Sequence, residues 1–363
     1  MDRINKISYF SAFSGIGGFE LGINDACYNG DTKIYPQCVG FSEIDKYAEE
    51  IYLKHFNHKS YGDISKINPN ELEDFDLFVG GFPCQSFSIA GKRGGFEDTR
   101  GTLFFEIARI IREKQPRFLL LENVKGLLSH EKGETFLTIL STLNELGYDV
   151  EWQVLNSKDF GVPQNRERVF IVGYSRGSGG RKIFPIERNG SQDPEQSKEN
   201  LIYWKNSKEK WVKEKRGYTP TIKTQSDLCR QPLIEITQNV ADAQRIYDPK
   251  GISKTLKANG GGQGAKTGLY AVMTPDRHNK KQNGRQIKED GEPMFTLTAQ
   301  DKHGISDGYR IRRLTPIECE RLQGFPDNWT AGVSDTQRYK QLGNAVTVNV
   351  IRAIMHKMVK IFQ

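Results

Sequence analysis

Pro83-Cys84-Gln85 follows a Gly-Gly pair that ends the apolar run Phe75-Asp76-Leu77-Phe78-Val79. That order holds a thiol at the carboxyl end of a strand, where open α/β sheets keep their ligands. Only a thiolate is a nucleophile, so the surroundings decide between a reactive group and a small buried hydrophobe. Glu122-Asn123-Val124 follows the wholly apolar Phe118-Leu119-Leu120-Leu121. A carboxylate there is costly unless it has a partner or a use, such as an acid ready to share a proton. Arg166 and Arg168 stand two apart before an apolar strand core and so project to one face. They suit carbonyl or anion recognition, or a salt-bridged edge.

A second group of residues fits an anionic or nucleoside ligand. Ser14-Gly15-Ile16-Gly17-Gly18 lies between a first strand and a helix, where glycines let backbone approach a ligand and the helix N-terminus favours negative charge. A tight turn with no ligand is the alternative. Glu43-Ile44-Asp45 ends the second strand, and Glu43, nearer the strand end than Asp45, is placed to accept from ribose hydroxyls. Asp63 in Tyr61-Gly62-Asp63-Ile64 either accepts from an adenine amino group or caps a turn.

The elements that must position these groups alternate. Strands are expected over residues 7–13, 38–42, 75–79, 118–121, 149–155 and on from Arg166-Glu167-Arg168, with helices over 19–29, 46–55, 100–111 and 134–146. This pattern predicts an α/β, doubly wound, Rossmann-like sheet. Beyond Tyr174 the chain turns polar and Lys-rich, with three β-like fragments at 219–223, 253–258 and 295–299 and a glycine-rich stretch at 259–264. Thr315, Pro316 and Glu318 form a helix-starting capping box, and an amphipathic helix ending at Phe362 is expected to return to the first domain. The predicted division is a catalytic domain of residues 1–185 plus 335–363 and a smaller, irregular, mostly β domain of residues 186–334.

The 363 residues, 36% apolar and 27% charged, can bury a full core. The N-terminus lacks a secretory apolar segment, which with the absence of a long apolar run predicts a cytoplasmic protein. Five scattered cysteines at positions 27, 38, 84, 229 and 319 predict neither a disulfide framework nor a bound metal. Of the net charge of +7, residues 186–310 hold 22 Lys and Arg against 16 Asp and Glu, which suits a polyanion partner as well as a solvated face.

Phe13-Ser14-Gly15-Ile16-Gly17-Gly18, Pro83-Cys84-Gln85, Glu122-Asn123-Val124, Gln164-Asn165-Arg166-Glu167-Arg168 and Gly343-Asn344-Ala345-Val346, in this order, resemble the cytosine-C5 DNA methyltransferase family nearly end to end. The resemblance implies a pocket for S-adenosylmethionine formed by Phe13, Gly15, Gly17, Glu43, Ile44, Asp63, Ile64, Pro83, Leu103 and Asn344. It implies Cys84 as nucleophile toward C6, Glu122 as the acid at N3, and Arg166 and Arg168 as the groups that hold the base and the catalytic centre. The stretch from Arg245 to Gly268 is similar to the recognition region of short bacterial enzymes acting on GCGC sites, but departs from it at Lys257, Asn259 and an extra segment near 273–308.

The substrate implied is double-stranded DNA whose target cytosine is flipped out of the stack. Residues 86–99 then read as a lid, with Ser86 and Ser88 touching phosphates and Lys92 and Arg93 near its far end. Arg245, Thr255, Lys257, Asn259, Gly260 and Gly261 are the expected DNA-reading positions. A monomer is expected, with any cognate restriction endonuclease a separate protein. An RNA methyltransferase and a non-catalytic DNA-binding regulator are the competing readings.

Overall fold

The computed structural model describes residues 5–28, 34–83, 103–177, 182–186, 201–205, 211–215, 232–234, 270–273, 287–288, 292–299, 303–306 and 311–362. Its main sheet contains β1 (Asn5–Ala12), β2 (Ile34–Ser42), β3 (Leu77–Gly81), β4 (Phe118–Val124), β5 (Tyr148–Asn156) and β6 (Glu167–Ser175), in the order β2-β1-β3-β4-β6-β5. The first four strands are parallel to their neighbours, whereas β6 runs antiparallel to both β4 and β5. The strand was expected, but sequence periodicity gives no strand direction, so its antiparallel run was not foreseen.

Strand alternation divides the core between the two faces of the sheet. Tyr9, Leu77, Val79, Phe118 and Leu120 bury one face, against α1 (Gly18–Tyr28) and α7 (Val348–Phe362). Phe10, Phe78, Leu119 and Leu121 bury the other, against α3 (Leu103–Lys114) and α4 (Glu134–Glu145). The buried stripe Ile351, Ile354, Met355 and Met358 gives α7 its inward face. Gly22 lets α1 and α7 close up, since a Cβ there would meet Ile351 at 2.7 Å.

Two small three-stranded antiparallel sheets lie outside this frame. One joins β7 (Leu201–Lys205), β8 (Trp211–Lys215) and β9 (Pro232–Ile234), and the other joins β10 (Tyr270–Met273), β11 (His303–Ser306) and β12 (Ile311–Arg313). Of the three expected β-like fragments, 219–223 and 253–258 lie outside the described residues. The third is irregular backbone whose nearest bridge joins Met294 to Gln164.

The C-terminal part packs across the expected division. α5 (Pro316–Gln323) starts with the predicted capping box: Glu318 N donates to Thr315 Oγ1 at 3.3 Å and Thr315 N to Glu318 Oε2 at 2.7 Å. From there to Trp329 the chain shares a core with the first domain: Leu322, Phe325 and Trp329 pack with Ile16 and with Ala48 and Ile51 of α2 (Lys46–His55). The same core also takes in Met294, Leu297 and Ile305, so residues on both sides of the expected boundary pack together. α6 (Asp335–Asn344) was not anticipated as a separate helix, because its polar sequence buries only Gln341, Leu342 and Gly343.

Candidate active site

The strand ends gather the expected cofactor residues. Phe13 takes a positive φ of 53°, uncommon for an aromatic residue, and turns the chain from β1 into the glycine loop. Gly15, at φ 56°, donates its N–H to Glu43 Oε2 at 2.8 Å, and nothing lies within 4 Å of where its Cβ would be. Glu43 Oε1 takes the N–H groups of Ile44 and Asp45, both at 2.8 Å. Its carboxylate is thus aimed by three backbone donors and keeps lone pairs to offer. Ile44 beside it is 75% exposed, a large apolar side chain with no core to fill.

An acidic acceptor pair, an unburied aliphatic face and open space over a glycine fit an adenosyl group: hydroxyls for Glu43, a flat ring for Ile44, a close approach at Gly15. Asn344, exposed at the end of α6, and Pro83, exposed after β3, lie at the ends of elements of the same frame. Leu103 starts α3 half-buried against the second core face. Asp63 takes up the turn-cap role that was one of its two expected readings. Asp63 caps a short turn, its Oδ1 taking Ser65 N at 3.0 Å and Ser65 Oγ at 2.8 Å, and these bonds hold its carboxyl below the usual range. The side chain of Ile64 is buried in the core.

Glu122 stands directly opposite Gly81 in the register of β3 and β4. A Cβ on Gly81 would come 3.1 Å from Glu122 Oε2, so the glycine leaves room for the carboxylate. The partner that this end-of-strand carboxylate requires is Arg168, whose Nε lies 3.0 Å from Glu122 Oε1. The antiparallel β6 makes the meeting possible, because its first residues lie alongside the last residues of β4 and Val124 faces Arg168. The surroundings of Glu122 are therefore guanidinium on one side, not the apolar strand alone. Asn123 is buried and donates Nδ2 to Phe82 O at 2.8 Å, fixing the backbone that leads into Pro83.

Arg166 does not join Arg168 at the surface of the site. It is 2% exposed, and its guanidinium donates to the carbonyls of Leu297 at 2.8 Å, Gly343 at 3.2 Å and Ala345 at 2.8 Å. Burial, aided by the nearby Arg168 charge and opposed by Glu122, lowers its pKa to about 9. Its side chain ties the start of β6 to the 294–298 segment and to the end of α6, so the expected role in holding the base becomes one of holding the frame. Sequence reasoning gave no role to Gln164, which does similar work: fully buried, it accepts Leu297 N at 3.0 Å and donates to Leu322 O at 2.9 Å. The signal was an amide within a run otherwise read for its arginines.

Cys27, Cys38 and Cys319 are free thiols whose pKa values burial pushes up to about 11, 12 and 12. None of these suits nucleophilic use. Among the described residues no group of three or more His, Cys, Asp or Glu could hold a metal ion. Cys84, Ser86, Ser88, Lys92, Arg93, Arg245, Thr255, Lys257, Asn259, Gly260 and Gly261 lie outside the described residues.

Comparison with known proteins adds an independent line. A family model described as C-5 cytosine-specific DNA methylase matches residues 7–360. The chain is 35% identical to an orphan methyltransferase of Bacillus phage SPR, over 98% of each chain. It is 38% identical to the type II methyltransferase M1.ScrFI of Lactococcus lactis subsp. cremoris, over 99% of this chain and 79% of that one. With the type II methyltransferase M.HhaI of Haemophilus parahaemolyticus the identity is 34%, over 98% and 95%. Among solved structures, the Dnmt2 methyltransferase of S. pombe has the same fold, with a TM-score of 0.55 at 18% identity over 98% of each chain.

Proposed function

The chain belongs to the C-5 cytosine-specific DNA methylase family, and we propose that Cys84, Glu122 and Arg168 carry its chemistry on a cytosine flipped out of double-stranded DNA. Carbon C5 of cytosine is a poor nucleophile, so the ring must first be activated. The Cys84 thiolate adds to C6, and Glu122 hydrogen-bonds N3 and shares its proton, so the electron pair from the C5–C6 bond becomes an enamine with density at C5. Arg168 keeps the carboxyl of Glu122 oriented during this step. The expected cofactor, S-adenosylmethionine, supplies an electrophilic methyl group to that carbon. A base, for which a water suffices, then removes the C5 proton, and the thiolate departs as the ring double bond re-forms.

The observation that carries this reading is the Glu122–Arg168 pair at the end of β4, opposite Gly81, which stands three residues before Cys84 in the sequence. The donor would be held by the Glu43 carboxylate, the Ile44 face and the open backbone at Gly15, with Phe13, Gly17, Pro83, Leu103 and Asn344 around them. The basic region beyond residue 186 would supply salt-dependent affinity for phosphates and the loops that read base edges. The reading extends to a cytoplasmic monomer, with any cognate restriction endonuclease a separate chain. No helix among the described residues is long and apolar enough to cross a membrane.

The test is transfer of tritiated methyl from S-adenosylmethionine to duplex DNA and, in parallel, to tRNA. Incorporation into DNA alone supports the reading; incorporation into tRNA alone moves the substrate to RNA. Duplex carrying 5-fluorocytosine at the target should trap a covalent complex, since C5 then has no proton to lose. Cys84→Ala should bind DNA yet form neither product nor adduct, and methylation undiminished in that variant would refute the assignment.

A further inference from the structure

Ser14, Gly15, Ile16 and Gly17 of the glycine loop are each held by a hydrogen bond. Ser14 N donates to Ser42 O at 3.1 Å, Gly15 N to Glu43 Oε2 at 2.8 Å, and Gly17 N to Ser14 O at 3.0 Å. The carbonyl of Ile16 takes its bond from much farther along the chain, the indole N–H of Trp329 at 2.9 Å. This contact joins the donor loop to the loop after α5.

Trp329 is itself held on every side. Its ring stacks on His55 with centroids 3.6 Å apart and planes 8° apart, and it lies tilted against Phe325 at 5.6 Å and Phe56 at 5.8 Å. The Trp329 carbonyl receives His55 Nε2–H at 2.7 Å. Phe56 fills the space over Gly17, where a Cβ would come within 2.3 Å of the ring. On either side of Trp329, the N–H groups of Asn328 and Thr330 donate to the buried Glu320 carboxylate at 2.7 and 2.8 Å, and Arg338 closes on the same group at 3.0 Å. Burial alone would be satisfied by any large aromatic side chain. A donor aimed at one particular carbonyl of the loop requires the indole nitrogen.

We propose that Trp329 is a positioning residue for the methyl donor: its N–H fixes the Ile16 peptide, and with it the orientation of the Gly15 and Gly17 backbone that faces the donor. The inference rests on the donor site proposed above. Removing the N–H leaves the Ile16 carbonyl unheld and lets the loop sample orientations that do not bind.

The experiment is calorimetric titration of the full chain with S-adenosylhomocysteine, with steady-state methylation of duplex DNA and thermal unfolding alongside. Trp329→Phe keeps the stack and deletes the donor. Its Kd for S-adenosylhomocysteine should rise roughly three- to tenfold, the effect of one lost hydrogen bond. KM for S-adenosylmethionine should follow, while kcat at saturating donor and the Kd for DNA stay unchanged. Unaltered donor affinity alongside a lower Tm would overturn the proposal, because Trp329 would then serve packing only. Should Trp329→Phe fail to fold, His55→Ala retains the N–H but removes the stack, and a rise in donor Kd of about twofold or more is expected. Equal donor affinity in that variant would overturn the proposal too. A failure of the unaltered chain to bind S-adenosylhomocysteine would instead overturn the donor site itself, and this inference with it.

Discussion

Arg168 Nε and Glu122 Oε1 lie 3.0 Å apart, with side chains only 16% and 12% exposed, at the point where an antiparallel strand begins beside the end of a parallel one. The pair is sheltered enough that neither charge is easily replaced by water. Glu122→Gln removes the carboxyl, and Arg168→Met removes the group that orients it. Both should lower single-turnover methylation by about 10²- to 10⁴-fold, with DNA binding retained. A rate within threefold of the unaltered enzyme in either variant would remove that residue from the mechanism.

Gly81→Ala probes the same carboxylate without touching its charge. The new methyl would sit 3.1 Å from Glu122 Oε2, and the carboxylate would have to move by a few tenths of an ångström. Small displacements of a reacting group are costly in rate, so a loss of about tenfold or more in kcat is expected, with Tm nearly unchanged. Equal kcat would mean that the carboxylate has slack.

Arg166 should show the opposite profile. Arg166→Met leaves the carbonyls of Leu297 and Gly343 without the donor they now have and weakens the support of Ala345. A loss of about 3 kcal/mol or more is expected for unpairing buried polar groups. Gly343→Ala should destabilise as well, because its Cβ would come 2.3 Å from the Thr298 backbone. Chemical denaturation checks both, and an unaltered midpoint in Arg166→Met would contradict the clamp.

Glu20 makes stability depend on pH. It is wholly buried on α1 among Ser11, Tyr9, Cys38 and Tyr52, and Tyr52 in turn touches His58. Burial raises its pKa from an ordinary 4.5 to about 7, against the opposing effect of Ser11, its own backbone N–H and Tyr52. The folded chain thus holds a proton that the unfolded chain releases, and stability falls as pH rises from about 4.5 to about 7, then levels. The full effect is on the order of 3 kcal/mol. Glu20→Gln should flatten this part of the stability profile. A profile with the same slope in the variant would assign it to another group.

The site was more legible in the sequence than the way it is held. Glu43, Gly15 and Glu122 could be picked out because each is a polar or glycine residue breaking an apolar strand end, and chemistry at strand ends is local in sequence. Arg168 opposite Glu122 was not legible, since it depends on the direction of β6 and on a register between strands. Arg166 looked like a site residue because a polar side chain beside a motif invites that reading, and Gln164 was given no role; their partners, Leu297, Leu322, Gly343 and Ala345, lie far along the chain. The core shared across the expected domain boundary was hidden for the same reason. Leu322, Phe325 and Trp329 carry no local mark of the core they join, whereas the Thr315–Glu318 cap, being local, was found as expected.

The contact between Trp329 and Ile16 spans 313 residues. Translation delivers the glycine loop 313 residues ahead of its brace. A nascent or prematurely terminated polypeptide accordingly carries the donor loop with its Ile16 carbonyl untethered.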